Sequence, residues 1–226
     1  MNIKILYEDN HLLIVEKPVN MLVQADKTQD EDLLTILKKY IKEEYNKPGE
    51  AFLSLVHRLD RPVGGAIVYA KTSKAAGRLS DQLRRQVIKR EYLGVVRGNI
   101  KKEENRLENY LLKDNRKNEV SIVGKDKRGS KRSVLNYIKL SSKNNMTLLK
   151  VKLETGRSHQ IRVQLAGIGH PLYGDQKYGA NVNKVGEQIA LWSYKLIFKH
   201  PTKDEIIEVT SKPPHKEEPW KNFNIK

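Results

Sequence analysis

The 226-residue sequence has no cysteine, which excludes disulfides, thiolate metal sites and a cysteine nucleophile. It has no apolar run near the ~20 residues needed to span a bilayer. Its start sets Lys4, Glu8 and Asp9 among short apolar stretches, unlike a signal peptide. A cytoplasmic protein without a membrane partner is therefore expected. Acidic residues are also in short supply, 27 against 43 Lys and Arg, leaving a net charge of +16. That balance suits a polyanion, although solvated lysine accounts for part of it. Nucleic acid is favoured over a membrane surface because no long basic amphipathic helix is present. No glycine-rich loop ends in Lys-Ser or Lys-Thr, and Gly167-Ile168-Gly169 runs into His-Pro instead of opening a helix. A serine nucleophile elbow is missing too. His57, His159 and His170 lack the spacing of metal ligands on one helix face, so no metal is expected. There is no internal repeat.

What is present centres on residues 54–72, where an apolar strand meets a charged knot, His57-Arg58-Leu59-Asp60-Arg61-Pro62, and a second apolar strand leaves through Gly64-Gly65. Pro62 stops ladder bonding and the glycines open backbone paths closed to other residues. Asp60 thus sits on a bend beside Arg58 and Arg61, a setting that holds a carboxylate ionised. A turn aspartate bonded to its own backbone fits the same local pattern.

Alternation at 3–7 and 11–17 around Glu8-Asp9-Asn10 predicts a hairpin ending at Lys17-Pro18. Thr28 and Glu31 have capping-box spacing ahead of an amphipathic helix of about four turns carrying Leu33, Leu34, Ile36, Leu37, Tyr40 and Ile41, stopped by Asn46-Lys47-Pro48-Gly49. Ser73 is the expected cap of a second helix running to about Gln86, with Ala75, Ala76, Leu79 and Leu83 inward. A strand is predicted over 90–97. Charged residues then dominate 98–132, including the run 125–132, which reads as an insertion or hairpin pair with a mobile basic loop. Strands at 134–140 and 146–154 precede a helix capped by Ser158, with Ile161, Leu165 and Ile168 as its stripe. Arg162 borders that stripe and needs a carboxylate partner, since unpaired burial of charge is costly. Strands at 188–198 and 205–210 follow, and 212–226 reads as a tail. Many strands and few helices without βαβ alternation predict an α+β fold with an antiparallel sheet.

Two long motifs carry a resemblance. His57-Arg58-Leu59-Asp60 with Gly65 and Ala70-Lys71 resembles the active-site motif of the RluA-type pseudouridine synthases. Thr155-Gly156-Arg157-Ser158-His159-Gln160-Ile161-Arg162-Val163, with Gly169-His170-Pro171, Gly174-Asp175 and Tyr178-Gly179, resembles that family's second signature. Lys89-Arg90-Glu91-Tyr92 and Ala190-Leu191 resemble its tyrosine segment and closing pocket strand, so the likeness spans roughly 3–210. Val63-Gly64, Gln164 and Trp192 depart from the commonest pattern and bear on substrate detail.

The resemblance implies a single catalytic domain over 1–226, with a long mixed, mainly antiparallel sheet, flanking helices and a central basic cleft. It implies isomerisation of uridine to pseudouridine in structured ribosomal or transfer RNA, by a monomer without a cofactor. Asp60 would act at the sugar as nucleophile or base, Arg162 would be its ionic partner, and Tyr92 would stack on the flipped uracil. Leu191 and Ile67 would line the pocket. Arg58, Lys89, Arg157 and His159 would contact RNA. Many relatives carry a small basic RNA-binding domain ahead of the catalytic one, and this chain is expected to lack it. Two other functions remain: an inactive RNA-binding protein on the same scaffold, and a hydrolase using Asp60 with His57 or His159 to cleave an N-glycosidic bond.

Overall fold

The computed structural model describes residues 3–225. The chain forms two compact units, Met1–Lys89 with Ser193–Ser211, and Arg90–Trp192 with Lys212–Lys226. Charge is divided unevenly between them. The first carries 18 Lys and Arg against 15 Asp and Glu, whereas the second carries 25 against 12.

In the first unit β1 (Ile5–Glu8) and β2 (Leu12–Lys17) form the expected hairpin. Asp9 closes it by accepting from the His11 and Leu12 amides at 2.7 and 2.8 Å. β2 pairs antiparallel with β4 (Gly64–Ala70), which also takes the short β3 (Ser54–Leu55). β10 (Leu191–Lys199) and β11 (Ile206–Thr210) make a second antiparallel pair. Alternate residues of β2 and β4, Leu12, Ile14, Ala66 and Val68, pack with Leu196, Phe198 and the buried face of α2 (Ser73–Arg84). α1 (Leu33–Glu44) is the expected amphipathic helix; it buries Leu33, Leu37 and Ile41, while Leu34, Ile36 and Tyr40 are partly exposed.

Two caps differ from expectation. Asp32, not a Thr28–Glu31 box, accepts from the Thr35 amide at 3.1 Å. Thr72, not Ser73, caps α2 by accepting from Ala75 at 3.2 Å. In both, the residue with extended backbone just before the first helical one turns its side-chain oxygen to an amide of the first turn.

The second unit is a five-stranded antiparallel sheet ordered β5 (Lys89–Arg97), β9 (Met146–Leu153), β8 (Lys131–Lys143), β6 (Glu104–Asp114), β7 (Glu119–Val123). Of the insertion or hairpin pair expected over 98–132, the structure forms a hairpin, β6–β7, at the sheet's outer edge. Its inward residues Leu111 and Val120 pack on Val163 of α3 (Gln160–Gly167). His159, in the left-handed region at φ 49°, and not Ser158, holds the position before α3, and its side chain makes no capping hydrogen bond. Ile168 is exposed beyond the end of α3, and the helix has no single buried stripe, since every residue from Gln160 to Leu165 is buried. The segment expected as a tail ends in a short 3-10 turn, Trp220–Asn222, with Trp220 and Phe223 buried.

Candidate active site

Asp60 lies on the loop between β3 and β4, in a turn closed by the Val63 amide bonding to its carbonyl at 2.9 Å. Arg58 is exposed beside it. Arg61 is drawn away to Asp30 at 2.6 Å. Ile67 is fully buried on β4, opposite Val15. Lys89 is exposed at the start of β5.

The loop rests on a residue that sequence reasoning passed over. Lys17 ends β2 with no exposed surface, and its Nζ donates to the carbonyls of Pro18 (2.9 Å), Met21 (2.7 Å) and Arg61 (3.0 Å). Three ammonium protons therefore meet three acceptors, one of them on the residue after Asp60. Burial pushes the Lys17 ammonium down to about 7, opposed by the charge of Asp60 and reinforced by that of Arg61. An apolar run ending in lysine was its one sequence signal. Lys17 faces Gly65 across the ladder. At Gly65, φ +110° and the Ser193 carbonyl crowding the space a Cβ would need exclude any side chain.

In the second unit the register places several candidates together. Directly paired residues of antiparallel strands share a sheet face. Tyr92 is paired to Val151, Val151 to Tyr137, and the adjacent pairs run through Leu135 to Leu107 on the side that α3 covers. Tyr92 is buried there. The buried Leu191 reaches the same side, its Cδ1 lying 3.6 Å from where a Gly94 Cβ would stand.

Arg162 projects from α3 into a two-pronged ion pair with Asp175, Nε to Oδ2 at 2.8 Å and Nη2 to Oδ1 at 2.9 Å. Asp175 also accepts from the Lys177 and Tyr178 amides. The carboxylate that Arg162 requires in its own unit is therefore Asp175. Tyr178 stacks under the guanidinium at 5.2 Å and its hydroxyl shares a 2.7 Å hydrogen bond with His159 Nδ1. The same hydroxyl accepts from the Val120 amide of the outer hairpin at 2.9 Å. His159 is thus tied to a structural tyrosine.

The turn before α3 is bolted to β8. Thr155 accepts from the Val134 amide at 2.8 Å, while Gln160 donates to the Val134 carbonyl at 3.0 Å and accepts from Arg157 N at 3.0 Å. Arg157 is exposed and gives Nε to the Arg132 carbonyl at 3.2 Å. Gln164 is buried and donates to Asn109 at 2.8 Å. In the basic run, Arg132 is claimed by Glu108 at 2.6 Å, but Lys125, Lys127, Arg128 and Lys131 are exposed with no carboxylate partner among the described residues. The loop expected to be mobile is closed by Ser130 bonding to Lys127 and Lys125.

No cluster of three metal-ligating side chains occurs among the described residues, and no helix of the described residues is long and apolar enough to cross a membrane.

Residues 11–167 match the family described as RNA pseudouridylate synthase. An "Uncharacterized RNA pseudouridine synthase YhcT" of Bacillus subtilis is 34% identical over 90% of this chain and 66% of its own length. A "Ribosomal large subunit pseudouridine synthase C" of Buchnera aphidicola is 36% identical over 79% of this chain and 54% of its own. The chain thus spans between about half and two thirds of these relatives. In fold it is similar to Human RNA Pseudouridylate Synthase Domain Containing 4, with a TM-score of 0.79 at 22% identity over 94% of this chain and 89% of that one. Human RNA Pseudouridylate Synthase Domain Containing 1 gives 0.73 at 24% over 94% and 84%.

Proposed function

Because this chain belongs to the RNA pseudouridylate synthase family, we propose that it isomerises uridines in structured RNA to pseudouridine. The observation that carries the reading is that one family match runs through Asp60, Tyr92 and Arg162 together. In the reaction the bond from C1′ to N1 breaks, the uracil turns, and C5 bonds to C1′. The C5 proton leaves and N1 gains one, so atoms and charge balance without an external group. Asp60 takes the role at the sugar, on a loop pinned by Lys17. Tyr92 takes the uracil face, Leu191 and Ile67 the pocket wall, and Arg162 the electrostatic partner of the reacting carboxylate. The chain is read as a single catalytic domain that takes RNA in a basic cleft. Arg58, Lys89 and Arg157 are assigned to phosphate, because they are exposed. His159 is assigned to RNA contact alongside Arg157.

A duplex base is out of reach, so the target nucleotide lies in a loop or is extruded. Ribosomal RNA is the favoured substrate, since several relatives are named for the large ribosomal subunit; transfer RNA is the alternative. The protein is read as a cytoplasmic monomer. Mapping pseudouridine in total RNA from cells with and without the protein tests the proposal. Wild type should restore a mass-neutral change at defined uridines and Asp60→Asn should give background. Free uracil with abasic RNA, or a folded Asp60→Asn protein converting uridine at the wild-type rate, overturns it.

A further inference from the structure

Arg90 is the second unit's unexplained cation. It stands two residues before Tyr92 on β5, so both side chains leave the same face of the strand, ~7 Å apart along it. Its guanidinium lies against the turn before α3. A Cβ on Gly156 would come within 2.6 Å of Arg90 Nη1 and 3.1 Å of Nη2, so glycine is what lets the arginine rest there. Arg90 Nε is buried without a hydrogen-bond partner. No acceptor or carboxylate among the described residues serves the rest of the group. The acids nearest in sequence are taken, Glu91 by Lys152 and Glu154 by Arg106 and Asn136. Arg157, next to Gly156, adds a second charge whose described partner is only the Arg132 carbonyl.

One buried N–H left unpaired is costly, and the Nη groups, which are neither bonded within the described residues nor buried, are open to an acceptor arriving from outside. A planar, half-buried guanidinium fits a phosphate by paired N–H bonds. We propose that Arg90, seated on Gly156 and assisted by Arg157, clamps the backbone phosphate of the very nucleotide whose base Tyr92 receives. The inference rests on the isomerase reading for what Tyr92 does. It adds the residue that fixes the register of the RNA strand, so that one uridine and not its neighbour meets the catalytic loop.

The test is binding of a synthetic RNA hairpin with one loop uridine, measured by fluorescence anisotropy across a salt series. Arg90→Met should weaken binding about tenfold and reduce the slope of log affinity against log salt by ~0.7, the share of one single-strand phosphate contact. Replacing one phosphate flanking the uridine with an uncharged methylphosphonate should weaken wild type and leave Arg90→Met no weaker. Gly156→Ala keeps every charge but displaces the guanidinium, and should reproduce both effects; it decides the matter should Arg90→Met not fold. Wild-type slope and wild-type methylphosphonate penalties at both flanking phosphates in the folded variants overturn the clamp. Turnover by wild type, read separately by mass spectrometry, separates the two failures. Isomerisation with an unchanged Arg90→Met slope sinks the clamp alone. Arg90-dependent binding without pseudouridine sinks the activity alone.

Discussion

Asp175→Asn is the most informative perturbation of the site's framework. The Arg162–Asp175 pair is out of water, with side-chain exposures of 7% and 0%. Asparagine keeps one acceptor, loses the charge, and turns an amide donor toward guanidinium or backbone N–H groups that already donate. Removing one member of a buried pair costs about 3–5 kcal/mol. For a chain of this size each kcal/mol moves Tm by about 2–4 °C, so a fall of about 6–20 °C is expected. Thermal melts by circular dichroism, with urea titration to check that the slope m is unchanged, read this directly. Arg162→Met with Asp175→Leu, which removes both charges, should cost less than the sum of the single changes, because neighbours in one network are non-additive. Asp175→Asn melting within about 1 °C of wild type, or strict additivity in the cycle, refutes the reasoning.

Lys17 should make stability depend on pH. Its folded pKa lies at about 7, below the free value of 10.5. Between those values the unfolded chain binds the extra proton, so stability rises with pH there, by up to about 1.4 kcal/mol per unit. The stability difference between wild type and Lys17→Met, taken from urea melts at pH 7 to 9, should grow in favour of wild type; a flat difference defeats the assignment. Neutralising Lys125, Lys127, Arg128 and Lys131 together should lower the salt slope of RNA binding, whereas changing Arg132, already held by Glu108, should do so less. Equal slopes for both variants would mean the loop is merely solvated. Gly65→Ala should lose at least about 1–3 kcal/mol from the strained backbone alone, with a larger total from the Ser193 carbonyl, seen as a lower urea midpoint. An unchanged midpoint would show that this stretch of β4 can move aside.

Period and punctuation in the sequence determined most elements. Alternation wrote the β1–β2 hairpin, the run of apolar residues from Leu33 to Ile41 wrote α1, and Pro62 with Gly64-Gly65 marked the bend that bears Asp60. These are local signals, set by side-chain period and backbone freedom within a few residues. The two long motifs proposed Asp60 and Arg162 for the site, and the short segment Lys89-Arg90-Glu91-Tyr92 proposed Tyr92. Cap positions were missed by one to four residues, because several hydroxyl or carboxyl side chains lie within reach by sequence and only the chain's path selects one.

Partners across the chain were decided by tertiary structure alone. Arg162 declared that it needed a carboxylate, yet nothing in its spacing from Asp175 distinguished that acid from another. Lys17 read as the end of a hairpin, and only folding surrounded its ammonium with carbonyls 1, 4 and 44 residues away. Arg90 looked like one more positive charge in a basic chain until Gly156 was found beneath it. A sequence shows which charges exist. Which of them are answered depends on packing that brings distant segments within about 3 Å, the range over which a hydrogen bond is made or left unmade.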